Sequence, residues 1–272
     1  MGDQHFDVTS RALVMGILNR TKDSFFAPAA TFEWDEFFAR AEQLVQEGTD
    51  LLDVGGVKAG PGEEVSEQEE LDRVVPAIGE LRRRFDVPLS IDTWRASVAK
   101  ACFEHGASVG NDISGFADPN YLSVAATAKA TVVATHIRLR PRVADPTPHY
   151  DDVTATVQDF LMERRAWAEA AGISADRIVL DAGLDLGKTA AHSLQLLRDS
   201  HKLASLGSPL LLSASNKTFL GVMFNREVTD RRVASLDATA LGIASGCRVV
   251  RVHDVKGSVR MRDVLQRLLE VE

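Results

Sequence analysis

Polar and charged residues recur where short apolar runs end, and this recurrence is the first chemical signal in the sequence. Residues 88–115 (PLSIDTWRASVAKACFEHGASVGNDISG) show it in full: the run from Pro88 to Ile91 stops at Asp92, and the run opened by Ala107 to Val109 stops at Asn111-Asp112. Other run ends carry Asn19, Asp53, His136, Asp181, Ser213 with Lys217, and Arg251 with His253. Asp and Asn suit hydrogen bonding to a flat, nitrogen-rich heterocycle. Lys217, Arg251 and His253 suit a phosphate or pyrophosphate. Each residue also has a plainer reading, because Asp, Asn and Ser are common in turns and helix caps. Taken singly, Asp53, Asp112, Ser213 and Asp254 read as caps, and His136 is balanced between packing and ligand. There is no nucleophile elbow, P-loop or dinucleotide fingerprint, and nothing supports a glycosidase carboxylate pair.

These residues need elements to bring them together. Within 88–115, Thr93 is the expected N-cap of a helix rich in apolar residues (Ala96, Val98, Ala99, Ala101, Cys102, Phe103), and Gly106 is its expected stop. A parallel strand pair needs such a crossover, and ligands gather at the carboxyl ends of its strands. The unit repeats along the chain. Strands are expected at 12–18, 51–54, 131–135, 177–180, 209–212 and 248–252, besides the two already described. Helices are expected at 33–47, 67–85 (capped by Ser66), 118–128, 151–171, 190–205, 231–245 and 257–270. RTKDSFFAPA, GGVKAGPGEEVSE, RLRPRVADPTPHY and SASNKTFLG read as loops. Eight strands alternating with eight helices, with no linker, predict a single (β/α)8 TIM barrel over residues 1–272. An open doubly wound sheet is the structural alternative.

Composition narrows the function. Hydrophobic residues at 45% and charged residues at 26% are those of a globular protein. A net charge of −8 with mixed signs, and aromatics at 6%, argue against a nucleic-acid surface while leaving room for a local cationic pocket. Cys102 and Cys247 have no metal or redox spacing and read as buried, reduced thiols. No signal peptide and no apolar run of membrane-spanning length is found, so a cytoplasmic protein is expected.

The run ends also carry a resemblance. MGILN-x-T-x-DSF at 15–25, DVGG at 53–56 with PG at 61–62, and SIDT at 90–93 resemble successive motifs of the dihydropteroate synthase family. NDISG at 111–115, GKT at 187–189, S-x-K at 215–217 and RVHDV at 251–255 extend the match, in the family's order, over nearly the whole chain. The resemblance implies a (β/α)8 barrel that couples 6-hydroxymethyl-7,8-dihydropterin pyrophosphate to p-aminobenzoate with Mg2+, releasing pyrophosphate. By motif, Asp92, Asn111 and Asp181 would hold the pterin ring, and Lys217 would reach its carbonyl side. Arg251 would stack near the ring and meet phosphate; Asn19 and His253 would bind pyrophosphate and Mg2+, with Asn19 the metal ligand. The family also implies a homodimer.

Departures from the family pattern fall in two loops. N-V-T-P-D-S-F becomes Asn19-Arg20-Thr21-Lys22-Asp23-Ser24-Phe25, and GG-E-S-T-R-PG becomes GG-Val57-Lys58-Ala59-Gly60-PG. S-R-K becomes Ser215-Asn216-Lys217, and D-P-G becomes Asp181-Ala182-Gly183. The Thr and Arg that serve phosphate and aminobenzoate are thus Ala59 and Gly60. Losing a charged, bidentate donor costs about 1.5–3 kcal/mol. Kept strand ends with altered loops resemble the diverged second dihydropteroate synthase-like paralogue of some actinobacteria. The expectation is a retained pterin pocket with weak or absent condensation. The alternatives are an active synthase in which Lys22 and Lys58 take over phosphate binding, a different transferase or phosphorylated-ligand binder using the same mouth, and, more distantly, a pterin-binding methyltransferase domain.

Overall fold

A computed structural model describes residues 1–20 and 30–269. Eight parallel strands pair in chain order: β1 (Leu13–Asn19), β2 (Leu51–Gly55), β3 (Leu89–Asp92), β4 (Val109–Asp112), β5 (Thr131–Thr135), β6 (Ile178–Asp181), β7 (Leu210–Leu212) and β8 (Cys247–Val252). β8 pairs back onto β1, with Met15 opposite Arg251, so the sheet is a closed barrel and not the open alternative. Burial on both faces explains why the strands read as nearly unbroken apolar runs.

Side-chain alternation positions the site. Leu13, Met15, Leu51, Val109, Val133, Val179, Leu211 and Val249 form an apolar cluster inside the barrel. Two residues on from Leu51, Val109, Val179 and Val249, and so on the same strand face, stand Asp53, Asn111, Asp181 and Arg251. The polar floor of the mouth is therefore the next layer of the barrel interior. At the opposite end Met1, Phe6 and Val8 pack against the inner cluster. Arg177 Nη2 donates to the Gly2 carbonyl (3.1 Å) and Gln4 Nε2 to that of Asp86 (2.8 Å), pinning that segment in place.

The outward strand faces, including Val14, Leu52 and Ile91, join a second core with Phe37, Ile78 and Val98 of the surrounding helices. Those helices are α1 (Ala30–Gln46), α2 (Glu67–Arg84), α3 (Ala96–Glu104), α4 (Tyr121–Thr127), α5 (Val153–Ala170), α6 (Ala190–Arg198), α7 (Ser200–Ala204), α8 (Thr218–Phe224), α9 (Arg232–Ala244) and α10 (Val255–Leu269). Ser66 caps α2 by accepting from the Glu69 N–H, and both cysteines are free and buried, as expected.

The described residues hold ten α-helices where eight were expected. The helix expected over 190–205 breaks at Asp199, which accepts from Thr154 Oγ1 of α5 at 2.7 Å. α8 occupies part of the expected SASNKTFLG loop; its first N–H groups, Thr218 and Phe219, are satisfied by Asp185 from the β6 loop (2.5 and 3.3 Å). Thr93 does not cap α3. Its hydroxyl donates to Glu70 (2.7 Å), and the Ala96 N–H is taken by Asp118 Oδ2 (2.9 Å). Thr21 to Phe25, including Lys22, lie outside the described residues.

Candidate active site at the barrel mouth

The centre of the mouth is an ion-pair network on the floor. Arg251 donates through Nε to Asp53 Oδ2 (2.6 Å) and through Nη2 to Asp92 Oδ2 (2.8 Å). Asp53 is fully buried and also accepts from Ser90 Oγ (2.5 Å) and from Asn111 Nδ2 (3.3 and 3.4 Å). It is no cap, contrary to the expectation, but the residue that ties Asn111 to Arg251. Its place on the inner face beyond Leu51 carried that signal. Asp112 and Asp254 do behave as caps: Asp112 takes the N–H groups of Ser114 and Phe116, and Asp254 that of Gly257.

One guanidinium thus serves two carboxylates. Burial works against the charge on Arg251, but Asp53 and Asp92 outweigh it and raise its pKa. Asp92 moves the other way from a normal ion-pair partner. Burial, with the like charges of Asp53 and Glu70, lifts it to about 7 despite Arg251. Glu70 lies behind the floor, fully buried, and is held by Thr93 Oγ1 and by the Arg95 guanidinium.

Across the mouth, Asp181 accepts from the Gly183 N–H (2.8 Å), and burial raises its pKa while Lys217, Lys188 and Arg251 oppose that rise. Half-buried Lys217 has its pKa lowered by desolvation, against the pull of Asp185 and Asp181. Lys188 went unassigned in the sequence reading, although it sits in the GKT motif. Its Nζ meets His136 Nδ1 (2.8 Å) and the carbonyls of Gly183 (2.8 Å), Leu186 (3.2 Å) and His136 (3.3 Å). Burial lowers Lys188 to about 7, and burial with the neighbouring Lys188 lowers His136 to about 3. His136 therefore belongs to packing: it sits edge-on to Phe160 at 4.8 Å and accepts from Lys188.

Asn19 and His253 flank the floor. A Cβ on Gly55 would come within 3.0 Å of Asn19 Oδ1 and 3.6 Å of Asp92 Cβ, so glycine there lets β1 and β3 bring these residues close. His253 Nδ1 and the His253 N–H both meet Ser215 Oγ (2.9 and 3.2 Å). Desolvation, then the charges of Arg251, Arg40 and Lys217, lowers its pKa to about 4. Among the described residues no group of three or more His, Cys, Asp or Glu could hold a metal. Asn19 offers a single neutral oxygen, a donor that fits Mg2+ only alongside phosphate and water oxygens, which is how Mg2+ is commonly held.

Of the positions where the loops were expected to depart, Arg20 has visible partners and Gly60 has open space around it. Arg20 lies over the Trp34 ring (3.3 Å to its centre) and donates to the Arg73 carbonyl (3.0 Å). At Gly60 a Cβ would meet nothing within 4 Å, so the position given to arginine in the family opens onto free space. Asn111 thus meets Arg251 through Asp53, Asp92 meets Arg251 directly, Asp181 and Lys217 face them, and Asn19 and His253 stand at the edges.

A closed (β/α)8 barrel with carboxylates, an amide and cations gathered at the strand ends defines a barrel enzyme scaffold with a polar ligand mouth. The family pattern described as "Pterin binding enzyme" matches residues 15–253. The chain belongs to that family and, within it, to the dihydropteroate synthases. It is 41% identical over 268 residues to "Inactive dihydropteroate synthase 2" of Mycobacterium leprae, covering 96% of this chain and 91% of that protein. It is 38% identical to the dihydropteroate synthase of Synechocystis, covering 98% and 94% of the two chains. The crystal structure of Yersinia pestis dihydropteroate synthase with a sulfonamide drug complex superposes with a TM-score of 0.92 at 35% identity, over 99% of this chain and 98% of that one. The Xanthomonas albilineans enzyme in complex with 7,8-dihydropteroate gives 0.87 at 36% identity, over 98% and 97%.

Proposed function

We propose that this chain, acting as one barrel domain, keeps the pterin pocket of a dihydropteroate synthase and condenses pterin with p-aminobenzoate weakly or not at all. The observation that carries this reading is the contrast at the mouth: a complete floor network beneath a loop whose Ala59 and Gly60 offer no side chain for phosphate or aminobenzoate. Asp92, Asn111 and Asp181 would accept from and donate to the pterin edge, and Lys217 would reach its carbonyl side. Arg251 would stack near the ring and meet phosphate, while His253 would face the pyrophosphate. In the full reaction the bond from the pterin methylene carbon to the pyrophosphate oxygen breaks. The amine nitrogen then bonds to that carbon and loses a proton. Mg2+, with Asn19 as its protein ligand, would supply positive charge to the pyrophosphate. Fixed charge on the departing group is what such a reaction needs most, and that is where the loop is depleted.

The test is calorimetric titration with 6-hydroxymethyl-7,8-dihydropterin pyrophosphate and Mg2+, followed by p-aminobenzoate turnover on the same sample. Binding without turnover, and turnover gained in an Ala59→Thr/Gly60→Arg variant, is the expected result. Turnover at rates typical of enzymes in the unaltered protein would return the chain to the active synthases. Failure of the pterin compound to bind would point to another phosphorylated ligand.

Val222, Met223 and Phe224 of α8 and Val233 and Leu241 of α9 are exposed beside an apolar groove of about 550 Å3. A second copy of this chain covering that face would make a homodimer, checked by light scattering. Among the described residues no helix is long and apolar enough to cross a membrane.

A further inference from the structure

The β2–α2 loop is held largely by guanidinium groups from elsewhere in the chain. Arg73 of α2 donates to the Gly56 carbonyl (2.7 Å), and Arg95, just ahead of α3, donates to that of Val65 (2.7 Å). Between these anchors the carbonyls of Lys58 (3.0 Å), Gly60 (2.9 Å) and Glu63 all accept from one side chain, Arg142 of the β5–α5 loop. The Arg142 N–H adds a bond to the Ala59 carbonyl (3.0 Å). Arg142 itself has φ 69°, a left-handed backbone that a residue with a side chain keeps only where its surroundings fix it.

The loop that carries Arg142 is braced in turn. Arg138 pairs with Asp145 through two bonds (2.5 and 2.8 Å). It also packs against Gly187, where a Cβ would come within 2.8 Å of Arg138 Cβ. The β2, β5 and β6 loops so joined enclose a cavity of about 300 Å3, lined by Ala59, Pro61, Leu139, Val143, Leu186 and Lys188 among others.

We propose that Arg142 is a positioning residue that fixes the β2–α2 loop at the mouth before any ligand arrives, in place of the side chains this loop lacks. A planar fork with five donors can gather several carbonyls at once, which a lysine ammonium cannot do with the same geometry. A loop ordered in advance loses less freedom when a ligand touches it, so the clamp acts on affinity for ligands that reach the loop. Gly62 is part of the device: a Cβ there would stand 2.8 Å from Arg142 Nη2. The effect on ligands rests on the reading of the mouth as a pterin pyrophosphate site; the effect on the loop does not.

The experiment compares the unaltered protein with Arg142→Ala, Arg142→Lys, Gly62→Ala and the Arg142→Ala/Gly62→Ala pair. Hydrogen exchange is read at residues 57–63, and affinities are read for 6-hydroxymethylpterin and for its dihydro pyrophosphate. Arg142→Ala is expected to raise exchange in 57–63 by about tenfold, as suits the loss of several hydrogen bonds, with strand exchange unchanged. The pyrophosphate compound should lose affinity by about fivefold or more, and 6-hydroxymethylpterin by less than about twofold, since preorganisation matters only where the ligand meets the loop. Lysine should not rescue. Gly62→Ala, whose Cβ would press on Arg142 Nη2, should reproduce the effect with Arg142 itself unaltered, and the pair should be no worse than either single change. Unchanged exchange, rescue by lysine, additive effects in the pair, or equal losses for the two compounds would each overturn the proposal. If the unaltered protein binds neither compound, the pterin reading fails, and exchange alone decides whether the clamp exists.

Discussion

The floor and the rim of the mouth are built on different principles. On the floor, strand register sets the positions and side chains meet side chains: Asp53, Asp92, Asn111 and Arg251 stand on neighbouring or facing strands of a closed barrel. On the rim, the β2–α2 loop has no ladder, and arginines from α2, the β3–α3 connection and the β5–α5 loop hold its carbonyls. The floor draws its precision from the whole barrel. The rim depends on a few long side chains and can change without disturbing the fold.

Three perturbations sharpen the comparison, the largest first. Arg251→Met should leave two floor carboxylates without their cation and lower unfolding free energy by about 3–5 kcal/mol, read by urea denaturation. Adding Asp53→Asn should recover part of that loss. A small loss in Arg251→Met alone would mean the floor is no more interdependent than the rim. Asp181→Asn should weaken pterin binding by about 1.5–3 kcal/mol, the range for a hydrogen bond to a charged group, while melting changes little, because an amide oxygen can still accept from the adjacent Gly183 N–H.

The smallest effect concerns pH. Asp92 is raised from an ordinary 3.8 to about 7 in the folded chain, chiefly by burial. Between those values the folded state holds a proton that the unfolded state has released. This contribution to stability is therefore present at low pH and lost as pH rises toward 7. Asp92→Asn should remove that slope, so the variant gains on the unaltered protein between about pH 4 and pH 7. A parallel pH profile for the two would show that Arg251 keeps Asp92 ionised throughout.

The floor was legible because its two signals are local: apolar runs mark the strands, and alternation fixes which polar residue follows onto the inner face. Asp53 was open to the same logic, yet the frequency of Asp in caps hid it. The rim was illegible because its contacts join backbone carbonyls to distant arginines, with Arg142 and the carbonyls it binds 79 to 84 positions apart. α8 escaped for a related reason: its N-terminal groups are satisfied by Asp185, 33 positions earlier than Thr218. Lys188 stood in a visible motif, but its role as a link between β5 and the β6 loop exists only once four acceptors converge on it.

The segment bearing Met1, Phe6 and Val8 has a consequence for traffic through the molecule. With that segment packed beneath eight inward apolar side chains, the barrel is a vessel stoppered at its base. Whatever reaches Asp53 or Asp181 enters from above, and whatever leaves must retreat along the same route. Arrival and departure then share one doorway, and a jamb of that doorway is a loop fastened by three arginines.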